Sequence, residues 1–354
     1  MPDSKTISFR APLQGEVQDF LTQVGISCVP TTTALVELVV ELSHYEEEGK
    51  RLFPNILVCN SLSEALGVVQ GTEPLTIGRG EKGAATARLA LKRCAPLTRE
   101  AWAMFVERVE EKEFHYGVFR RPLLPTAVDI RETVASLPAD TQGVVLLGQV
   151  AERIVEVVGP GEKRLLVHLS AAKATDAAPR GSLAALVTAA TINCDEACRE
   201  SLRTYLSSKL TRALVEGHGA LIAVVPLGKN IPSVLREDGR FFATPIELAP
   251  VIKGFLGGHD IESIMALNSY AALIEGMLGS DGITVLRSDG ALLGYNAFVK
   301  SNNTEHTALP SQLLGGARRR AFEVLCKLVE QVELACAFMR SSNGSSEHRG
   351  GAAR

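Results

Sequence analysis

At 354 residues the chain exceeds one typical domain, and its length predicts two ordinary hydrophobic cores. An apolar fraction of 46% with 22% charged residues is globular, and 31 glycines with 16 prolines imply many short connections. A formal charge of -3 removes the uniform basic field that non-specific nucleic-acid binding needs, so no nucleic-acid partner is expected.

The seven cysteines are scattered and set mostly in apolar runs such as Ile56-Leu57-Val58-Cys59, which reads as reduced, buried thiols. Cys194 and Cys198 stand four apart, but no second Cys or His pair follows at zinc-site spacing, so no metal is expected there. The opening Met-Pro-Asp-Ser-Lys lacks a secretory pattern, and no apolar run approaches a membrane span. A cytoplasmic protein without a membrane partner is the expectation.

In chain order, residues 1–30 read as a mixed lead, and Pro30-Thr31-Thr32-Thr33 supplies a hydroxyl cap for a helix from Leu35 to about Tyr45. Asn55 to Cys59 and Glu73 to Ile77 are strand-like, with a helix from Ser61 to Val69 between them. Thr98 is expected to cap a helix carrying Ala101, Trp102, Phe105 and Val109 on its apolar stripe, followed by a strand from Phe114 to Phe119. Three prolines punctuate Arg121 to Pro138, and Val144 to Val158 with Arg164 to Leu169 predict a hairpin around Gly159-Pro160-Gly161. Alternating strands and helices favour an α/β domain over residues 31–175, and Ala171 to Gly181 is the best linker.

A second domain over residues 182–340 opens with a helix from about Asp195 to Val215 and a buried strand from Gly219 to Val225. A helix from Ile261 to Met277 leads to two strands, Ile283 to Leu286 and Ala291 to Phe298, joined by Arg287-Ser288-Asp289-Gly290. A helix from Arg318 to Lys327 and a last strand from Val332 to Met339 complete a mixed sheet, and residues 341–354, Ser/Gly/Arg-rich, read as a flexible tail.

Two clusters in the second domain suggest chemistry. In Gly279-Ser280-Asp281-Gly282-Ile283 a carboxylate stands at a strand start beside a glycine that lets a ligand approach the backbone. In Gly315-Gly316-Ala317-Arg318-Arg319-Arg320-Ala321 glycines and three arginines open a helix, where N–H groups, helix dipole and guanidinium forks all favour phosphate. Taken singly, an Asp-Gly is usually a turn and an arginine triplet usually a solvated face.

Together, and in this order of elements, they make residues 195–345 resemble the diadenylate cyclase domain, the family that condenses two ATP molecules into cyclic di-AMP. That family's Leu-His-Asp-Gly-Ala is matched by Gly279-Ser280-Asp281-Gly282-Ile283, keeping the aspartate and losing the histidine. Its Gly-Thr-Arg-His-Arg-Ala is matched by Gly316-Ala317-Arg318-Arg319-Arg320-Ala321, keeping the outer arginines. Its Ser-Glu-Glu-Thr-Gly, whose glutamate helps hold the metal, is matched by Arg340-Ser341-Ser342-Asn343-Gly344, which has no carboxylate.

The chain as a whole resembles the diverged, sensor-type members of the superfamily called DACNV domains, which carry an additional N-terminal α/β region. The resemblance implies an α/β fold, a mixed sheet flanked by helices, preceded by a separate α/β domain. It also implies a nucleotide or cyclic dinucleotide ligand held by Asp281, Gly282, Ile283, Gly315, Gly316, Arg318, Arg319 and Arg320, a signalling role, and an effector protein or a second copy as partner. Phosphoryl transfer needs a metal, so loss of the metal ligands implies binding without turnover. The rival is an active cyclase using Mn2+ or Mg2+, with Asp281 catalytic and Glu275 or Asp289 as replacement ligands. A third reading is a scaffold with no ligand.

Gly78-Arg79-Gly80-Glu81-Lys82-Gly83 also lies between a strand and a helix, as a dinucleotide fingerprint does, but no acidic residue ends a second strand about twenty positions on. It reads as a glycine-rich turn, with Arg79 or Lys82 able to touch a phosphate. His115, His168 and His218 read as structural histidines, and Ser201 and Ser263 lack a nucleophile-elbow context.

Overall fold

The structure is a computed structural model that describes residues 10–98, 101–109, 112–122, 124–169, 179–217, 219–299, 316–341 and 344–350. The chain divides into two compact units, residues 1–123 with 128–174 and residues 124–127 with 175–354.

The first unit contains, in order, α1 (Arg10–Gln23), α2 (Val29–Leu42), the short pair β1 (Glu46–Glu47) and β2 (Lys50–Arg51), β3 (Ile56–Cys59), α3 (Leu62–Val69), β4 (Thr72–Glu81), α4 (Ala84–Cys94), β5 (Trp102–Val109), β6 (Glu113–Arg120), α5 (Ile130–Ala135), β7 (Val144–Ala151), β8 (Ile154–Val158) and β9 (Arg164–His168). Seven strands form one sheet in the order β4-β6-β5-β3-β7-β8-β9, in which only β3 and β5 run parallel. Side chains alternate between its faces: Ile56, Val58, Met104 and Val106 pack with α1, α2 and α4, while Leu57, Cys59, Ala103 and Phe105 pack with α3 and α5.

That two-sided burial explains the main correction to the sequence reading. The segment after Thr98 is strand β5, not a helix; a central strand is apolar on both faces, so its hydrophobic run imitates a helical stripe. Helix α2 starts at Val29 with Pro30 in its first turn and Cys28 as N-cap, so Thr31 and Thr32 are buried inside the helix rather than capping it. Strand β4 continues to Glu81, so the first glycines of the Gly78–Gly83 run lie in a strand; a Cβ at Gly78 would strike the Tyr116 hydroxyl, and one at Gly80 would lie 2.8 Å from Thr86 Oγ1. Packing accounts for these glycines. The long run from Val144 is two strands joined at Glu152-Arg153, and the hairpin around Gly159-Pro160-Gly161 joins β8 to β9.

The second unit contains α6 (Pro179–Thr191), α7 (Glu196–Glu216), β10 (Ala220–Val225), α8 (Ser233–Arg236), β11 (Arg240–Ile246), α9 (Leu248–Gly258), α10 (Ile261–Gly279), β12 (Ile283–Arg287), β13 (Leu292–Ala297), α11 (Ala317–Glu330), β14 (Cys336–Arg340) and β15 (Ser346–Gly350). Its six-stranded sheet has the order β11-β13-β12-β10-β14-β15, with β10 and β12 parallel and every other pair antiparallel. Ile222, Val224 and Phe338 pack with α6, α7, α9 and α10 on one face, and Leu221, Ala223, Val285 and Met339 pack with α11 on the other. The architecture is thus α/β, a mixed sheet flanked by helices in each unit.

Three boundaries differ from expectation. The expected lead holds α1, whose Leu13, Val17, Phe20 and Leu21 belong to the core of the first unit. Helix α6 begins inside the proposed linker, of which residues 171–178 lie outside the described residues. Within the expected tail, Ser346–Gly350 form β15, which pairs along all of β14, from Cys336 opposite Gly350 to Arg340 opposite Ser346. Its polar sequence is that of an edge strand, which carries charge because one side faces solvent.

Candidate functional site

The parallel register of β10 and β12 sets Leu221 beside Ile283, so the residues just before each strand, Gly219 and Asp281-Gly282, emerge side by side at one end of the sheet. Neighbouring strands are about 4.8 Å apart, which fixes the scale of that juxtaposition. The antiparallel neighbours bring their C-terminal ends to the same place: Arg340 of β14 lies opposite Ala220, and Ala297 of β13 opposite Ile283. The first turn of α11 meets this end from the α11 face of the sheet.

Gly219 has φ +108°, and a Cβ built on it would lie 2.5 Å from Arg318 Nη1 and 2.6 Å from the Arg340 carbonyl oxygen. The Arg318 guanidinium therefore occupies the space above Gly219. Gly282, at φ +98°, is as constrained: its Cβ would lie 2.8 Å from the Ala297 carbonyl oxygen and 3.0 Å from Asn296 Cα. Asn296, itself at φ +53°, donates from Nδ2 to the Asp281 carbonyl oxygen at 2.8 Å. Ser280 Oγ donates to Met277 O at 2.7 Å, so the turn between α10 and β12 is held on both sides. Asp281 is exposed, with its backbone fixed, while Ile283 is buried.

The candidate residues thus separate. Asp281, Gly282, Ile283 and Arg318 share one end of the sheet, with Gly316 as the N-cap of α11. Gly315 lies outside the described residues. Arg319 turns to carboxylates of its own unit, with Nη1 2.5 Å from Glu347 Oε1 and Nε 3.5 Å from Glu323 Oε1. The hydrogen bond that Arg319 donates to Glu347 leads the interactions that raise its guanidinium above the ordinary arginine range. Arg320 is exposed. Gly219 and Asn296, which shape this end through backbone geometry, carry no motif signal beyond a glycine before an apolar run.

The fit to a divalent cation is poor. Among the described residues no three His, Cys, Asp or Glu side chains assemble as a metal site. Glu275 lies 3.5 Å from Arg212 Nε, and Asp289 accepts from Arg287 Nε at 2.9 Å and Nη2 at 2.7 Å. Asp289 also follows the far end of β12, one strand length from Asp281. Both proposed replacement ligands are instead engaged by arginines.

Elsewhere, His115 Nε2 lies 3.1 Å from Glu113 Oε2 on β6, His168 ends β9, and His218 lies outside the described residues. Ser263 lies in the first turn of α10, where its N–H donates to the Asp260 cap at 2.7 Å. Burial pushes the thiols of Cys59, Cys94 and Cys336 up to about 12. Cys28 differs: burial pushes its thiol up, but hydrogen bonding to Thr31 and the Arg108 guanidinium outweigh it, and the net shift is downward. No described helix is long and apolar enough to cross a membrane. No protein-family model matches the chain, and no curated protein or solved structure matches it.

Proposed function

We propose that the second unit is a cytoplasmic nucleotide- or cyclic-dinucleotide-binding sensor that holds its ligand without turning it over and signals occupancy to a partner protein. The observation that carries this reading is the convergence of Asp281-Gly282 and Arg318 on either side of Gly219, at one end of the sheet. A guanidinium and the first turn of a helix favour phosphate. The exposed Asp281 carboxylate can accept a ribose hydroxyl. The resemblance to the diadenylate cyclase domain points to the same residues. The scattered carboxylates favour binding over phosphoryl transfer, which requires developing charge to be neutralised at the reacting phosphate.

Thermal shift of the full chain against ATP, GTP, AMP and cyclic dinucleotides, with and without Mn2+, followed by chromatography of the same samples, tests the proposal. A concentration-dependent rise in melting temperature without product supports the sensor. Formation of a dinucleotide from ATP would make the protein a cyclase, and no shift with any nucleotide would leave the scaffold reading.

A further inference from the structure

We propose that Cys194 and Cys198 form a dithiol that closes to a disulfide under peroxide, a modification site at the joint between α6 and α7 that does not depend on the nucleotide reading. The two sulfur atoms lie 3.4 Å apart. A disulfide bond is about 2.05 Å long, so closure asks for a sulfur displacement on the order of 1 Å, which side-chain rotation within a turn can supply. Cys194 ends the turn after α6, and Cys198 lies in the first turn of α7, behind the Asp195 cap that accepts from the Ala197 N–H at 3.0 Å.

Both thiols are buried, at 2% and 1% exposure, yet the pair lies just beneath the surface. Asn193, Asp195, Glu196 and Ala197 are all exposed, so opening one turn admits a small oxidant without unfolding the core. Cys59, Cys94 and Cys336 are also buried, Cys59 and Cys336 in sheet strands and Cys94 at a helix end. Burial, followed by the hydrogen bond shared with Cys198, raises the Cys194 thiol, which slows the first step and leaves the second governed by proximity.

The chemistry balances with hydrogen peroxide as oxidant. One sulfur, having lost its proton, attacks a peroxide oxygen; the O–O bond breaks, hydroxide leaves and takes up that proton as water, and a sulfenic acid remains. The neighbouring sulfur loses its proton and attacks the sulfenic sulfur; the S–S bond forms, the S–O bond breaks, and the hydroxide leaves as a second water. Two thiols are oxidised by two electrons in all, and one peroxide is reduced to two waters.

The joint is tied to the rest of the unit. Asn193 N–H donates to the Ser288 carbonyl oxygen at 2.9 Å, Ser288 Oγ donates to Asn193 Oδ1 at 2.7 Å, and Arg199 Nη2 donates to the Cys194 carbonyl oxygen at 2.8 Å. Closure therefore acts on the turn between β12 and β13.

The test is peroxide treatment of the folded full-length chain, alkylation in denaturant, and peptide mass spectrometry. The expected result is protection of Cys194 and Cys198 from alkylation with the two linked to each other, reversal by reductant, and persistence of the link in Cys28→Ser. Loss of the link in both Cys194→Ser and Cys198→Ser is expected as well. Full alkylation of both residues after treatment, pairing of either with another cysteine, or a link formed only by urea-unfolded chain would overturn the proposal.

Discussion

Gly219 leaves open the space that the Arg318 guanidinium fills, with Nη1 only 2.5 Å from where a Cβ would stand. The glycine at the start of β10 and the arginine at the start of α11 are therefore one structural unit. Gly219→Ala has two effects: strain at φ +108°, costing about 1–3 kcal/mol, and displacement of Arg318. Arg318→Ala removes the charge without the backbone strain. Both variants are expected to lose ligand affinity, Arg318→Ala on the order of 10- to 100-fold through loss of a charge-assisted hydrogen bond. Gly219→Ala is expected to lower the melting temperature of the unliganded protein by several degrees, further than Arg318→Ala does, because it adds the backbone strain. Calorimetric titration beside thermal melts separates the two, and unchanged affinity in Arg318→Ala would remove this end of the sheet as the binding site.

Arg319 belongs to the same triplet but is engaged by Glu347 and Glu323, binding α11 to β15. Arg319→Ala is expected to cost about 0.5–1 kcal/mol of stability, the range of partly exposed ion pairs, and to leave ligand affinity unchanged. Urea melts and titration of the same variant check both halves. A loss of affinity comparable to that of Arg318→Ala would make Arg319 a ligand contact.

The contrast between these neighbours shows what the sequence makes legible. The triplet and the Asp-Gly are visible as residue types, and the order of strands and helices that brings them together follows from periodicity around Gly219–Val225 and Ile283–Leu286. The direction of each arginine is not visible, because Glu347 sits on a strand whose Ser/Gly/Arg composition imitates a frayed tail. Strand β5 was illegible for the opposite reason: Ala103 and Phe105 face one core and Met104 and Val106 the other, which erases the period of two. Asn296 carries no motif at all, since its role lies in a positive φ and one backbone hydrogen bond.

That role can be isolated. Asn296→Gly keeps the positive φ accessible and removes only the hydrogen bond to the Asp281 carbonyl oxygen, whereas Asn296→Ala removes both. The glycine variant is expected to lose about 1 kcal/mol and the alanine variant more, by roughly a further 1 kcal/mol of backbone strain. If Asp281 contacts ligand, both variants also weaken binding, because its turn is no longer fixed. Equal stability of the two variants would show that the φ at this position is not strained for alanine.

Cys28 gives a pH-dependent prediction whose sign follows from its surroundings. Its Sγ lies 2.9 Å from Thr31 Oγ1 and 3.5 Å from Arg108 Nη2, and the guanidinium stabilises the thiolate. Burial opposes this, but the net shift is below the 9.0 of an unperturbed thiol. A lowered value means that the thiolate is populated at lower pH, so iodoacetamide labelling of folded protein should rise with a midpoint below 9.0 at Cys28, while buried Cys59 and Cys94, near 12, stay unlabelled across the same range. Arg108→Met keeps the bulk and removes the charge, so it is expected to move the Cys28 midpoint upward. Peptide-resolved labelling at a series of pH values reads both shifts. A midpoint that does not move in Arg108→Met would assign the lowering to Thr31 alone.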